Sequence, residues 1–218
     1  TVRGRLSERT GLITGSVRSS PESLDDFRRS IEDRGLRDLS ASAFARIVLN
    51  APAGFCSKLL SLRGPLTVLS TGAGSGLAAI LYAAELLSTR DDVDLLLAGG
   101  TDEMSRETRV PEIEGAACLL LGRGGPDRDG GVRLVGWGLA GPSRLDEARA
   151  RARLRAGCDE PVTEVFDEAD YAGNSSAATP SALACVAAVD AIRRGDVARA
   201  WVTSDRGTSA SVALLLGT

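Results

Sequence analysis

The sequence has 218 residues, of which 43% are apolar, enough to bury the core of one large domain or of two small, closely packed ones. With 26 basic and 29 acidic residues the net charge is −3, so no overall field favours nucleic acid or an anionic membrane. No apolar run approaches the roughly 20 residues of a membrane span, and the first residues do not resemble a secretion signal, so we expect a cytoplasmic protein without membrane or nucleic-acid partners.

The composition contains no histidine. Histidine is the most common general base in enzymes and the most common metal ligand. The four cysteines, Cys56, Cys118, Cys158 and Cys185, lie far apart and form no C-x-x-C pair. We therefore expect them to be small buried side chains, and we expect no metal site.

The first quarter of the sequence predicts one strand and two helical regions. Residues 11–16 form a short apolar run that contains glycine near both ends, which is typical of a buried strand. Apolar residues at helical spacing over residues 23–34 predict an amphipathic helix. A second helical region, residues 42–60, is expected to be interrupted at NAPAG, residues 50–54, because of its proline and glycine.

A regular alternation of strands and helices begins at Leu66. The order is a strand, a glycine-rich turn, a helix and a second strand, at residues 66–70, 71–75, 76–88 and 93–98. Two further apolar runs, residues 114–122 and 132–137, predict strands that together suit a hairpin across residues 123–131. Residues 145–156 predict an arginine-rich helix with a solvated face.

Residues 75–103 and 181–209 share one order of elements. Each begins with serine and a small residue, continues as an apolar helix, and then has a charged turn, a buried strand and a polar loop. Such alternation is typical of βαβ units on a sheet covered by helices. Because it occurs twice, we predict a single domain over residues 1–218 with two related halves, at about 11–122 and 132–216.

The turn STGAGSG, residues 70–76, connects the predicted strand to the predicted helix. A dinucleotide-binding fold has G-x-G-x-x-G at this place, but position 77 is leucine. No Gly-Lys-Ser/Thr follows, as it would in a phosphate-binding loop. Ser75 also lacks the flanking glycines of an α/β-hydrolase nucleophile elbow.

The segments around the turn resemble the β-ketoacyl synthase family. GPLTVLSTGAGSGLAAILYAAELL, followed by VDLLLAGGTDEMS, is similar to a family segment in which a Gly-Pro-led strand ends in T-A-C-S-S-G-like residues. Other similar segments are NAPAG, EIEGAACLLL, GNSSAATPSALACVAAVDAIRRG and VTSDRGTSASVALLL. The resemblance covers roughly residues 11–216 and implies an α/β fold of the thiolase type, with two related βαβ-containing halves in a layered core and, here, shortened loops.

The resemblance also implies a catalytic cysteine at a helix N-terminus and two histidines that assist decarboxylation and stabilise an oxyanion. In this chain Ala73 occupies the cysteine position and Asn174 the histidine position of the G-H-T motif, and the region of the other histidine is shortened between Pro161 and Gly173. We therefore expect a degenerate site without catalytic residues, formed by Thr71, Gly72, Ala73, Gly74, Ser75, Gly76 and Asn174.

Within this family, chain-length factors of type II polyketide synthases also lack the cysteine and pair with an active ketosynthase. Their turn resembles x-Q-A-G-G, and GAGSG is similar to it with alanine at the glutamine position. We therefore interpret the chain as a shortened, catalytically silent chain-length-factor-like subunit of polyketide or polyene biosynthesis, in a heterodimer or heterotetramer. The subunit would need no cofactor, since its partner would use acyl chains on the phosphopantetheine of an acyl carrier protein, which this chain would meet only indirectly.

The family also pairs the strand before the turn with its two-fold mate across the dimer. The resemblance thus implies a dimer interface at Leu66, Thr67, Val68, Leu69 and Ser70. An unpaired apolar edge would be an aggregation hazard, which favours an obligate partner. Phe44 and Phe55 are expected to limit the depth of the partner's acyl tunnel.

Two alternatives stay open at this point. One is a degenerate thiolase-fold acyltransferase or decarboxylase that uses Ser75 or Thr71, for which the sequence offers no evident base. The other is a self-associating scaffold that has no ketosynthase partner.

Overall fold

The chain alternates between strands and helices much as its apolar pattern predicts. The computed structural model describes residues 4–104, 113–124, 131–157, 162, 164–173, 175, 177–206 and 210–218. The helices of these residues are α1 (Arg5–Glu8), α2 (Pro21–Arg34), α3 (Ala41–Ile47), α4 (Ala51–Leu60), α5 (Ser75–Thr89), α6 (Leu145–Ala156), α7 (Ala169–Ala172) and α8 (Thr179–Arg194). The strands are β1 (Thr10–Gly15), β2 (Leu66–Leu69), β3 (Leu95–Asp102), β4 (Gly115–Gly122), β5 (Arg133–Ala140), β6 (Val165–Asp167), β7 (Arg199–Ser204) and β8 (Ser211–Gly217).

The strands form two four-stranded sheets, sheet A with the order β2-β1-β3-β4 and sheet B with the order β5-β8-β7-β6. In sheet A, β3 is parallel to β1 and antiparallel to β4. In sheet B, β7 is likewise parallel to β6 and antiparallel to β8. The strand that follows each long apolar helix therefore has the same kind of neighbours in both halves of the chain.

The predicted hairpin between residues 114–122 and 132–137 is wrong. The first of these runs is β4, which pairs with β3, and the second lies in β5, which pairs with β8 in the other sheet. An apolar run predicts a buried strand but carries little information about its partner. Adjacency in sequence thus gave the wrong pairing here.

The two sheets enclose α5 and α8, and each sheet has a further helix on its outer face. The central core contains buried residues of both helices and both sheets, including Ile13, Leu77, Ile80, Val202 and Leu214. On the outer face of sheet A, Ala53 of α4 packs with Leu12. On the outer face of sheet B, α6 packs on Trp201 and Leu215. The layer order is therefore helix, sheet, helix pair, sheet and helix.

The arginine-rich helix α6 has one small, buried face. Its Ala148 and Ala152 are fully buried against β5. A Cβ atom at Gly138 would lie 1.9 Å from the carbonyl oxygen of Ala148, and one at Gly136 would lie 2.2 Å from that of Ala152. The glycines let the helix backbone approach the strand closely, while most of the other α6 side chains are exposed, as predicted.

The predicted interruption at residues 50–54 lies slightly earlier in the chain. Helix α3 ends at Ile47 and α4 begins at Ala51, so Pro52 is in the first turn of a helix and Gly54 is in its interior. Proline is tolerated in a first turn because no intrahelical hydrogen bond of its nitrogen is lost there. Proline thus marks the start of the second helix.

We expect Gly15→Ala to lower the free energy of unfolding by about 3 kcal/mol, a typical cost of overpacking. Gly15 ends β1, and a Cβ atom there would lie 2.1 Å from the carbonyl carbon and oxygen of Ser75 at the start of α5. Gly54→Ala is the matched control, because nothing lies within 4 Å of its Cβ position. In the interior of α4 this change should stabilise the protein by about 0.5–1 kcal/mol. Urea unfolding of both variants measures the two effects, and equal midpoints would contradict the close packing of Gly15.

Candidate functional site

The turn between β2 and α5 has a backbone shape that depends on glycine. Gly72 has a φ of 86°, a value that side chains with a Cβ atom rarely adopt. Gly74 caps α5, and Ala73 precedes it with only 4% of its surface exposed. A buried methyl group therefore lies next to the positive end of the α5 dipole, where the resemblance predicts a cysteine.

The hydroxyl group of Ser75 holds this turn together. Its Oγ atom donates to the carbonyl oxygen of Gly72 at 2.5 Å and accepts from the backbone N–H of Thr71 at 2.8 Å. Ser75 is fully buried. Its oxygen is thus engaged on both sides, which makes it a structural group and a poor nucleophile. The hydroxyl of Thr71 is also buried and has no hydrogen-bond partner among the described residues.

A carboxyl group from the second half of the chain approaches the same turn. A Cβ atom at Gly74 would lie 2.5 Å from Oγ of Ser204, the last residue of β7. The Ser204 hydroxyl donates to Oε2 of Glu168, a fully buried residue between β6 and α7. The other oxygen of Glu168, Oε1, has no partner among the described residues.

Burial raises the pKa of Glu168 above its usual value, because water no longer stabilises the carboxylate. The hydrogen bond from Ser204 and the positive charge of Arg206 lower the pKa and oppose this effect, and the nearby Asp167 raises it further. Glu168 therefore keeps its proton to a higher pH than an exposed glutamate. The site offers a weak acid beside the turn, and a methyl group where the resemblance predicts the nucleophile.

The structure brings together most of the predicted site, since Thr71 to Gly76 form one turn. Asn174 lies outside the described residues, so its position relative to the turn stays a prediction. Arg206 donates to the carbonyl oxygen of Gly173 at 3.2 Å, which brings the chain just before Asn174 close to the segment after β7. Sequence reasoning missed Glu168 and Ser204. The one sequence feature that points to Glu168 is its position after the short apolar run Val165-Phe166 and Asp167. This feature does not show that the side chain is buried.

The predicted interface strand lies at an edge of its sheet. Strand β2 pairs with β1 on one side, and none of the described strands pairs with its other side. Leu66 and Ser70 are exposed at its two ends. Phe44 and Phe55 are 55% and 61% exposed, and the ring of Phe44 lies 5.7 Å from that of Phe27. Both aromatic rings are thus largely exposed on the surface of the described residues.

The family model of the β-ketoacyl synthase N-terminal domain matches residues 3–124, more than half of the chain. The chain belongs to the β-ketoacyl synthase family. It is 32% identical over 154 residues to 3-oxoacyl-[acyl-carrier-protein] synthase 2 of Rhizobium meliloti, which covers 65% of this chain and 36% of that relative. It is 34% identical over 152 residues to a phenolphthiocerol/phthiocerol polyketide synthase of Mycobacterium tuberculosis, covering 66% of this chain and 9% of that relative. The chain thus spans about a third or less of the length of these relatives.

Solved structures of ketosynthases share the fold. The ishigamide ketosynthase/chain length factor superimposes with a TM-score of 0.79 at 21% identity, covering 96% of this chain and 73% of that chain. A ketosynthase in complex with its chain length factor from Xenorhabdus doucetiae gives a TM-score of 0.66 at 18% identity, covering 97% and 75%. These likenesses confirm the predicted thiolase-like α/β fold. None of the helices in the described part of this family member has the length and apolar character that a membrane crossing needs.

We expect Glu168→Gln to change how stability depends on pH. Because the folded pKa of Glu168 lies above the value of about 4.3 in an unfolded chain, the folded protein binds more protons between these two values. The stability that this proton contributes is complete below the unfolded pKa and is lost as the pH rises through the folded pKa. Glutamine stays neutral, so the variant should gain stability relative to the wild type on going from about pH 4 to about pH 8. Urea unfolding across this range measures the difference, and parallel curves would contradict the burial of an acid at this position.

Proposed function

We propose that this chain is a catalytically silent, chain-length-factor-like subunit that pairs with an active ketosynthase in polyketide or polyene biosynthesis. The observation that carries the proposal is the buried methyl group of Ala73 at the start of α5. A methyl group cannot form the covalent acyl intermediate that a nucleophile provides at this position. Loss of a nucleophile typically costs several orders of magnitude in rate.

The composition of the chain supports the same conclusion. Its 218 residues contain no histidine. The acid beside the turn, Glu168, is a carboxyl group whose protonated form is favoured by burial, and it lacks the imidazole chemistry of a ketosynthase. We infer that the partner supplies the nucleophile and the bases, and that it takes acyl chains from the phosphopantetheine of an acyl carrier protein. This subunit would then need no cofactor of its own.

The open edge of sheet A supports a partner of the same fold. The carbonyl oxygens of Pro65 and Leu69 accept hydrogen bonds from Leu12 and Ser16, at 2.8 and 3.0 Å, and therefore point toward β1. Since the peptide groups of a strand alternate, those of Leu66 and Val68 point to the open side. These groups can pair with a partner strand. Solved relatives of this fold include a ketosynthase in complex with its chain length factor, which favours such a partner.

The geometry of the turn disfavours the enzyme alternative at Ser75. Its oxygen is buried and engaged with Gly72 and Thr71. The Thr71 hydroxyl is unpartnered among the described residues, but no described hydrogen bond joins it to a base. A second function is therefore not proposed, and covalent chemistry at this turn is an outcome that the experiment below detects.

The experiment is co-expression with an active ketosynthase from the same biosynthetic locus, followed by size-exclusion chromatography. We expect a stoichiometric complex that condenses acyl and malonyl carrier proteins, and whose activity is abolished by removal of the partner's catalytic cysteine. The isolated chain should form no acyl adduct and release no CO2. If mass spectrometry detects an acyl adduct on Thr71 or Ser75, the chain is an enzyme and not a silent subunit. If the chain forms a stable homo-oligomer and does not bind the ketosynthase, it is a scaffold.

We expect Val68→Pro to abolish the complex and Val68→Ala to preserve it. Both changes remove the packing of the Val68 side chain against Leu12 and Ala53. Only proline also removes an N–H group that points to the open edge of β2, so that a hydrogen bond to a partner strand is lost. The fraction of complex on size-exclusion chromatography measures the effect, with circular dichroism as the test of folding. If the two variants bind equally well, the interface lies elsewhere.

We expect Phe55→Ala to lengthen the products of the reconstituted pair. Phe55 is on α4, which packs on the edge strand β2 through Ala53 and Val68, and its ring is exposed. Loss of its bulk would deepen a tunnel that the partner continues. Leu154→Ala, on the outer side of sheet B at 84% exposure, is the matched control for an exposed apolar side chain. Mass spectrometry measures the chain length of the products. If neither Phe55→Ala nor Phe44→Ala changes this length, the two rings do not limit the tunnel.

A further inference from the structure

A large cavity lies at the other end of α5, away from the turn. It measures about 530 Å3 and opens between the C-terminal halves of α5 and α8 and the strands β4 and β5. Its walls include Ile80, Ala84, Leu121, Trp137, Val189 and Leu216. On α5 the wall begins at Ile80, about 7.5 Å along the helix from Ser75 at about 1.5 Å per residue, and none of the turn residues 70–76 lines the cavity. The cavity is therefore separate from the degenerate site.

The cavity follows from the way the two halves pack. Helices α5 and α8 are close at their first turns, where a Cβ atom at Gly76 would lie 2.5 Å from the carbonyl oxygen of Ala178. Farther along, β4 and β5 follow one another in the chain but belong to different sheets and do not pair. None of the described residues fills the space between these strands, and its volume is in the range of small-molecule sites.

The walls are apolar and unreactive. Cys185 is part of the wall, and complete burial raises the pKa of its thiol to about 12. The thiol is therefore uncharged and behaves as a small apolar group. Glu85 lies beside the cavity, but its carboxylate accepts hydrogen bonds from Trp137 at 2.9 Å and from Arg155 at 2.8 Å. The negative charge of Glu85 is therefore paired with the positive charge of Arg155.

The described part of the cavity rim is cationic. Arg123, Arg133 and Arg193 are among its lining residues, and none of the described residues that line it is acidic. Arg193 forms no ion pair with any residue of the described ranges. Arg123 pairs at 2.9 Å with Asp91, whose side chain is completely exposed. A guanidinium group binds a carboxylate through two parallel hydrogen bonds, so this rim fits an anionic head group.

We propose that this cavity binds a fatty acid, with the alkyl chain between α5, α8, β4 and β5 and the carboxylate at Arg193 and Arg123. The apolar walls favour an alkyl chain over water, and the cationic rim selects an anion over a cation of the same length. This site is independent of the role proposed for the turn, so that either proposal stands if the other fails.

Trp137 provides a direct test, because it lines the cavity and the chain has only one other tryptophan. Trp201 packs under α6 on the outer face of sheet B. In a Trp201→Phe variant, dodecanoate brominated at its terminal carbon should quench the fluorescence of Trp137 in a saturable way, below the concentration at which it forms micelles. In a Trp137→Phe variant the quenching of Trp201 should be weak. Absence of saturable quenching, or equal quenching of both tryptophans, would overturn the site.

The head group is tested by charge changes that leave the core untouched. Arg193→Ala should weaken binding of the brominated acid by about twofold to fivefold, which is the range for an exposed ion pair. Arg194→Ala is the matched control on the same helix, because Arg194 is outside the cavity and pairs with Asp190 and Asp196. Dodecanoate should displace the probe and dodecylamine should not. Equal losses in the two arginine variants, or displacement by the amine at the same concentration, would overturn the carboxylate assignment.

Discussion

The contact between the first turns of α5 and α8 is the constraint on which the other features depend. The backbone N–H of Leu77 donates to Oγ of Ser181 at 3.1 Å, and small residues allow the approach. The carboxylate of Asp102, at the end of β3, accepts hydrogen bonds at 2.6 Å from both the backbone N–H and the hydroxyl of Thr179. Sheet A is therefore joined directly to the start of α8. Because the two halves are fixed together here, the turn of one half lies against Ser204 of the other.

This arrangement explains how the turn keeps its shape without a nucleophile. The positive φ of Gly72 and the two hydrogen bonds of Ser75 are local, and neither involves the side chain of residue 73. The close approach of Gly15 to Ser75 then fixes the turn on β1. Alanine at position 73 changes the chemistry and leaves the backbone intact. The fold and its edge strand therefore do not depend on a nucleophile at position 73.

The sequence was sufficient to predict the strands and helices that have strong periodicity. It was not sufficient to predict which strands pair with one another. The alternation around residues 66–102 predicts β2, α5 and β3 because apolar runs, glycines and helical spacing agree there. Short elements such as α1, β6 and α7 were missed, since three or four residues carry little periodicity. The burial of Glu168 arises from contacts with β7, 36 residues farther along the chain, and the cavity beside Trp137 lies between the two halves. Local sequence patterns contain no signal for contacts between residues that are distant in the chain.

Glu168 shows what the fold requires of an acidic group that is buried beside the turn. A buried carboxylate with a single hydrogen bond would cost several kcal/mol, a large part of the roughly 5–15 kcal/mol by which a domain is stable. Raising the pKa avoids most of this cost, because the neutral acid needs only ordinary hydrogen bonds. The Ser204 hydroxyl satisfies one oxygen, and the other has no partner among the described residues. The raised pKa therefore favours the neutral, polar form of Glu168 beside the turn, which costs less to bury than an ionised carboxylate.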